Sequence, residues 1–358
     1  GGLFSFRNDT LDKTQNSFGR IAIALAQTFN EQHRLGMDLN GEMGTDFFTI
    51  SSPKVISSLM NSGTSSVSAV ITDSGALTTS DYQFSFDGTN YTLMRLSDNV
   101  SISTSLAPSS STPLTLDGVA ITGATILANE RFLIQPTING AKDIEVNIKD
   151  TSKIAAAGPN RTSSTLSNTG TGTISTGTVT TSPVDSNLQQ PLTITFQTPF
   201  NGLYDVTGIG TGLPATSQVY TSGADITFNG YTFQISGEPA AGDIFTVTPN
   251  HNGSADNRNA LLLGALQTKN TLESGSATYQ SSYGQLVSQI GNKTRELEVT
   301  SKAQANLLTQ TKKSMESISG VNLDEEAANL MKFQQAFQAS SKVIEISEKL
   351  FSSILQLG

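Results

Sequence analysis

His33 and His251 are the only general-base candidates in a sequence of 358 residues that contains no Cys. A nucleophile paired with either base would need presentation, and no Gly-x-Ser-x-Gly elbow offers any of the many serines. Two His cannot complete a three-His zinc site, and the His-Glu-x-x-His spacing does not occur. Disulfide scaffolds and thiolate metal sites need Cys. Asp38, Asn40 and Glu42 alternate as calcium-loop ligands do, but Gly41 and Gly44 flank the place where the loop needs its Gly, and the twelfth-position Glu is missing. A polar turn after Gly36 fits these residues better. Gly208, Gly210 and Gly212 resemble part of a phosphate-cradling loop, yet Leu213-Pro214 follows where a helix N-terminus is required. His33 stands in the last turn of an expected helix, where a cation complements the dipole. Glycosidase-type carboxylate pairs are assembled in three dimensions and leave no spacing signature. The residues therefore name no catalytic group, no cofactor and no metal site.

Charge tells the same story. The chain has 21 Lys and Arg against 30 Asp and Glu, a net charge of −9, and only 14% charged residues, where about 25% is ordinary. Ser, Thr, Asn, Gln and Gly have taken the place of charge. Without a Lys/Arg cluster, electrostatic capture of nucleic acid or anionic lipid is not expected. The six-residue apolar run Ile21–Ala26 is far short of the ~20 that span a bilayer, so no membrane insertion is expected. The chain opens on Gly1-Gly2 and not on Met, which reads as the middle of a longer protein.

The elements that hold these residues change character twice. Residues 3–36 read as a helix, with Leu11, Phe18, Ile21, Leu25 and Phe29 on one face and Gly36 as its stop. That stripe suits a core-facing helix or an interface. From 49 to 250 the pattern turns to short alternating runs. Tyr82, Phe84 and Phe86 lead through Asp87-Gly88 to Tyr91 and Leu93, a hairpin signature. The text recurs: Thr115–Ile121 around Asp117-Gly118 matches Thr227–Phe233 around Asn229-Gly230, and Phe132–Pro136 matches Phe245–Pro249. Two related β domains in tandem, 49–150 and 185–250, account for the repeat; one larger β domain with two similar hairpins is the rival. Between them, 151–184 is Ser/Thr/Gly-rich and reads as a linker, an exposed loop or a polar edge, although Thr also suits strands. Helical periodicity returns over 251–320, with Tyr279, Tyr283, Leu286, Ile290, Leu297, Leu308 and Met315 at heptad-compatible spacing, until Gly320 breaks it. With 1–48, this segment forms a helical part framing the β region. The fold class is α+β, with long terminal helices in a coiled-coil bundle around a tandem all-β insertion.

The segment 321–358 carries the most information. Leu323, Leu330, Phe337, Ile344 and Phe351 recur at strict intervals of seven; Val343, Leu350 and Leu357 stand one position before the stripe, and Phe333 and Ile354 three after it. A sustained 3.5-residue period is a coiled-coil seam. Asn322 is an N-cap with Glu325 as capping-box partner, and Asp324–Glu326 sit at the positive end of the dipole. Each large side chain is worth ~1.5–3 kcal/mol when covered, so five layers offer roughly 10 kcal/mol, realised only against a partner. These ten residues are the candidate assembly site. Packing on the chain's own helices is the alternative.

Several blocks closely resemble a known family. Gly1-Gly2-Leu3-Phe4 with Phe6-Arg7, the run Leu25–His33, Gly36-Met37-Asp38-Leu39-Asn40-Gly41 and Asp46-Phe47-Phe48 are similar to the flagellar hook-associated protein 1 family, which joins the bacterial hook to the filament. Asp256–Ala260, Ser319–Leu323, Glu325–Leu330 and Phe333–Ser340 match it too, while the β region matches only in style. The resemblance implies a structural, non-enzymatic axial component of the flagellum, exported by the type III apparatus without a cleaved signal peptide and needed for motility. It implies a ring of about eleven copies of the chain, with hook protein on one side and the next hook-associated protein on the other. Terminal helices would form inner tubes, β domains would face outward, and a cytoplasmic export chaperone would hold the C-terminal segment. The family's own N-terminal helices, which pair with the C-terminal rod, are not among these residues, so a C-terminal portion is expected. A secreted adhesin or glycan-binding β module on a helical stalk is the alternative; a secreted hydrolase has no constellation behind it.

Overall fold

The computed structural model describes residues 2–356 other than 182, 252, 254 and 321. They fall into two compact units, Gly1–Ile290 and Gly291–Gly358.

The first helix runs as α1 (Gly2–Phe6), a π-helical turn (Arg7–Leu11) and α2 (Asp12–Arg34). Its apolar stripe is not its buried face. Asn16, Gly19, Ile23, Ala26, Asn30 and His33 are buried, alternating by three and four as one helical face does, while Phe4, Leu11 and Phe18 stay exposed. Close backbone approach explains the choice. A Cβ on Gly19 would lie 1.7 Å from the Thr137 carbonyl oxygen, and one on Gly140 would lie 2.4 Å from the Gly19 oxygen. Contact with α3 (Gly140–Asp143) thus requires a small residue at the crossing. Asn16 then donates to Thr79 O and Asp81, and Ile23 enters the core of the first β module.

That module contains β1 (Lys54–Ser57), β2 (Ser66–Ile71), β3 (Tyr82–Phe86), β4 (Tyr91–Arg95), β5 (Ser101–Thr104), β6 (Leu114–Leu116), β7 (Val119–Thr125) and β8 (Arg131–Gln135). One antiparallel sheet has the order β1-β8-β3-β4-β5 and a smaller one β2-β7-β6. Tyr82, Phe84, Leu93, Val119, Ile121, Phe132 and Ile134 form the core. Inward residues alternate with half-exposed Gln83 and Ser85, the period that one buried sheet face imposes.

The second module contains β9 (Asn160–Ser164), β10 (Thr173–Ile174), β11 (Thr178–Val179), β12 (Leu192–Phe196), β13 (Leu203–Gly208), β14 (Ala215–Val219), β15 (Asp225–Phe228), β16 (Tyr231–Ser236) and β17 (Ile244–Pro249). Its five-stranded sheet runs β9-β17-β12-β13-β14; in the smaller sheet β16 pairs with β15, β10 and β11. The two large sheets match strand for strand, so the repeated text falls on equivalent hairpins, β6–β7 and β15–β16. Both turns need positive φ at two successive residues: Asp117 50° and Gly118 74°, Asn229 51° and Gly230 72°. This is type I′ geometry, which Asp-Gly and Asn-Gly accept at least cost. Of the readings of 151–184 as a linker, an exposed loop or a polar edge, the structure takes the last: the segment supplies the edge strands β9, β10 and β11, so the second module begins at 160. Thr and Ser suffice at a half-exposed edge, with Ile174, Val179 and Val184 as the apolar anchors packed on the core.

Helix α4 (Arg258–Ala265) follows, then α5 (Tyr279–Ser319) and α6 (Leu323–Leu355). Leu286 is buried within the first unit, and Phe18 packs on Tyr283 with ring centroids 6.1 Å apart. Gly320 lies between the last two helices; a Cβ there would meet Glu316 O at 2.0 Å, so the helix ends where only Gly fits.

Candidate assembly interface

Helix α6 is 33 residues long, and its start is set locally. Asn322 is extended and its side-chain oxygen accepts from Asp324 N at 3.2 Å, while Asp324, Glu325 and Glu326 fill the first turn. The expected Asn322 N-cap is present. Along the surface Lys342 pairs with Glu345 at 2.6 Å and Lys349 with Glu345 at 3.1 Å, and both lysines hold the Glu345 carboxyl below its usual range. Such exposed pairs are screened by water and contribute little to stability. The seam stands uncovered: Leu323, Leu330, Phe333, Phe337, Val343, Ile344, Leu350, Phe351 and Ile354 are 60–80% exposed. Leu357 lies outside the described residues. All nine described positions share one helix and one apolar stripe, and none is buried.

A second cluster joins His33 and Asp38, weighed above for other chemistry, with residues noted only as family text. Asn30, fully buried, accepts from Phe47 N and Phe48 N at 2.9 and 2.8 Å and donates to Phe48 O at 2.8 Å. His33 Nδ1 lies 2.7 Å from Thr45 O, and its Nε2 accepts from Ala155 N at 2.9 Å. Burial lowers its pKa. His33 is therefore a neutral connector and not the dipole-complementing cation its place in the last turn suggested. Asp38 Oδ1 accepts from Asn40 N and Glu42 N at 2.8 and 2.9 Å, so the carboxylate of the calcium-like spacing closes a polar turn. Asn259 on α4 donates to Ala155 O and accepts from Gln32. A Cβ on Gly36 would fall 2.1 Å from Asn259 Nδ2. Arg258 pairs with Asp256 at 2.7 Å and donates to Asn160 O at 2.6 Å. Together these groups lock the end of α2, the 36–48 loop, residues 155–160 and α4. The signal was already in the sequence: polar residues at helical core spacing on α2, and an Asn-rich run opening α4.

The remaining chemical candidates have structural partners. Gly208, Gly210 and Gly212 turn β13 into β14, and a Cβ on Gly210 would meet Asn229 Oδ1 at 1.8 Å. Among the described residues no three His, Cys, Asp or Glu gather as a metal site, and no helix is long and apolar enough to cross a membrane.

Helical ends frame the β modules and an exposed heptad stripe runs along the last helix, the arrangement implied by the resemblance to flagellar hook-associated proteins. The family comparisons agree. The FlgK helical domain of flagellar hook-associated proteins matches residues 1–48, the D2-like domain of flagellar hook-associated protein 1 matches 56–136, and the flagellar basal body rod FlgEFG C-terminal domain matches 312–357. The first β module, similar to the family only in style by inspection, is thus matched as well. Flagellar hook-associated protein 1 of Escherichia coli strain K12 is 28% identical over 358 residues, all of this chain and 49% of the relative. The Salmonella typhimurium protein of the same name is 30% identical over 359 residues, again 100% of this chain and 49% of the relative. The flagellar hook junction protein FlgK from Burkholderia pseudomallei superposes with a TM-score of 0.78 at 30% identity, over 89% of this chain and 62% of that one. The chain is similar to flagellar hook-associated protein 1 along its whole length and spans about half the length of the curated relatives it matches.

Proposed function

We propose that this chain is the assembly-bearing portion of a hook–filament junction protein, a structural part of the flagellum without catalysis. The observation that carries the reading is the α6 seam: nine large apolar residues, 60–80% exposed, at coiled-coil spacing. Leaving such a stripe in water is costly, and covering it returns ~1.5–3 kcal/mol per large side chain. In this reading 1–48 and 251–290 are one helical domain, 49–150 and 160–250 are outward β domains, and 321–358 is the assembly helix. Leu323, Leu330, Phe333, Phe337, Val343, Ile344, Leu350, Phe351, Ile354 and Leu357 form the contact. The partners are further copies in a ring of about eleven, hook protein, the next hook-associated protein, and an export chaperone that holds the same helix before secretion. Export proceeds without a cleaved signal peptide, and the product lies outside the cell at the junction.

The test uses cells whose only junction protein is the full-length protein carrying Leu330→Asp or Phe337→Ala. Both variants should be made and keep their β modules folded, yet leave hooks without filaments by electron microscopy. Normal filaments and swimming with Leu330→Asp would remove the seam from the mechanism.

A further inference from the structure

The environment of His33 goes beyond assembly. The imidazole is fully buried, and both nitrogens are committed to backbone groups of two different segments. Thr45 O can only accept, so Nδ1 carries the proton at 2.7 Å. Ala155 N can only donate, so Nε2 supplies a lone pair at 2.9 Å. The backbone thus selects one neutral tautomer. A proton on Nε2 would set two N–H donors against each other and leave Ala155 N buried without an acceptor.

The segments on either side of the ring approach one another closely. A Cβ on Gly44 would lie 2.0 Å from His33 O and 2.7 Å from the Ala155 Cβ, and one on Gly36 would lie 2.5 Å from Ala155 O. Phe29 stacks on the ring at 6.4 Å and Phe47 meets it edge-on at 5.5 Å. The charged groups around it are spoken for. On α2, Arg34 pairs with Asp46 of the 36–48 loop, and Glu31 accepts from Gln27. On that loop, Asp38 closes its own turn, and Glu42 N donates to it. Before Ala155, Asp150 accepts from Ser152, with Lys153 beside it in the 3-10 turn. On α4, Arg258 is paired with Asp256. Asp46 and Asp38 favour the imidazolium, and burial outweighs them.

Ala155 is a strategic partner. Its carbonyl accepts from Asn259 of α4 at 2.6 Å, Ala157 exchanges backbone hydrogen bonds with Met37, and the chain enters β9 at Asn160. We infer that His33 is a proton-operated latch that, while neutral, holds the end of α2 to the segment leading into the second β module and, once protonated, releases that segment. Acidification would therefore loosen the second module from the helix before it unfolds either β core.

The test follows both His of the 358-residue chain by two-bond proton–nitrogen NMR while amide hydrogen exchange is measured from pH 7.5 to pH 4.5, corrected for intrinsic rates. His251, exposed, is the internal reference. The latch predicts the Nδ1–H tautomer at neutral pH. It further predicts that protection of the Ala155 and Ala157 amides falls about tenfold or more along the His33 titration curve, with Phe84 and Ile134 unchanged. In His33→Gln, exchange at 155–160 should no longer depend on pH. Three results would each overturn the inference: the other tautomer, a His33 titration that leaves 155–160 unchanged, or loss of protection at 155–160 only together with Phe84 and Ile134. The first is read on the native chain and does not depend on how well the variant folds.

Discussion

Replacing Gly19 by Ala tests the geometry of α2 with one methyl group. In an unobstructed helix interior, Gly to Ala stabilises by about 0.5–1 kcal/mol, because the unfolded backbone loses freedom and the helix gains propensity. At Gly19 the new Cβ would lie 1.7 Å from Thr137 O and 2.8 Å from Thr137 C. Both are backbone atoms and neither can rotate aside. Restoring an ordinary contact needs α2 and residues 137–140 to part by about 1.5 Å, which pulls Ile23 out of the first β core. Overpacking of this kind costs ~1–3 kcal/mol, so the propensity gain is outweighed and a net loss of about 1–2 kcal/mol is expected. Gly284 in α5, where a Cβ meets nothing within 4 Å, is the control, and Gly284→Ala should stabilise by about 0.5–1 kcal/mol. With no Trp and seven Tyr, urea unfolding read by tyrosine fluorescence is the assay. Opposite shifts of the midpoint are predicted. A rise for Gly19→Ala equal to that of Gly284→Ala would refute the close approach and with it the reason for the polar buried face.

Asn30→Ala removes the acceptor of the backbone N–H groups of half-buried Phe47 and Phe48 and should cost about 2–4 kcal/mol in the same unfolding assay. Asn322→Ala removes the α6 cap and should cost the helix ~1 kcal/mol, seen as lost far-ultraviolet ellipticity. Glu130 accepts from Ser62 N, Ser62 Oγ and Leu127 N and also bonds Ser65, which lowers its pKa from 4.5 to about 2. A depressed carboxyl stabilises the fold above its unfolded pKa and loses that contribution as pH falls toward its folded one. Acid titration should therefore show a stability slope between about pH 4.5 and 2 that Glu130→Gln lacks. Phe337→Ala should leave the melting of the isolated chain within ~0.5 kcal/mol of wild type, since the side chain is 74% exposed there.

How much was legible in the sequence depended on whether a pattern was local. The type I′ hairpins at Asp117-Gly118 and Asn229-Gly230 were readable because φ > 0 at two successive residues restricts the choice of amino acid. The α6 stripe was legible because a seven-residue spacing within one helix is a local pattern, and its residues stand exposed along that helix. The fully buried face of α2 was not legible, because hydrophobicity marks what avoids water, whereas a backbone crossing selects for absence of a side chain; Gly19 and Gly140, far apart in sequence, decide it jointly. The 151–184 stretch stayed ambiguous for a related reason. A short edge strand needs few apolar anchors, so Ile174 and Val179 could not lift it above its Ser/Thr background. His33 took a different role from the one its position suggested because its partners, Thr45 and Ala155, contribute backbone atoms that no spacing rule registers.

The claim that the α6 seam is the assembly surface can be read directly, because these 358 residues contain no Cys and any Cys elsewhere in the full-length protein can first be replaced. Single Ile344→Cys and Gln335→Cys variants of the full-length protein, one on the seam and one on the opposite face, are labelled with a maleimide before and after incorporation into isolated hook–filament assemblies. Both should react in the free protein, and only Gln335→Cys should still react once assembled. Equal labelling of the two in the assembled flagellum would contradict the account.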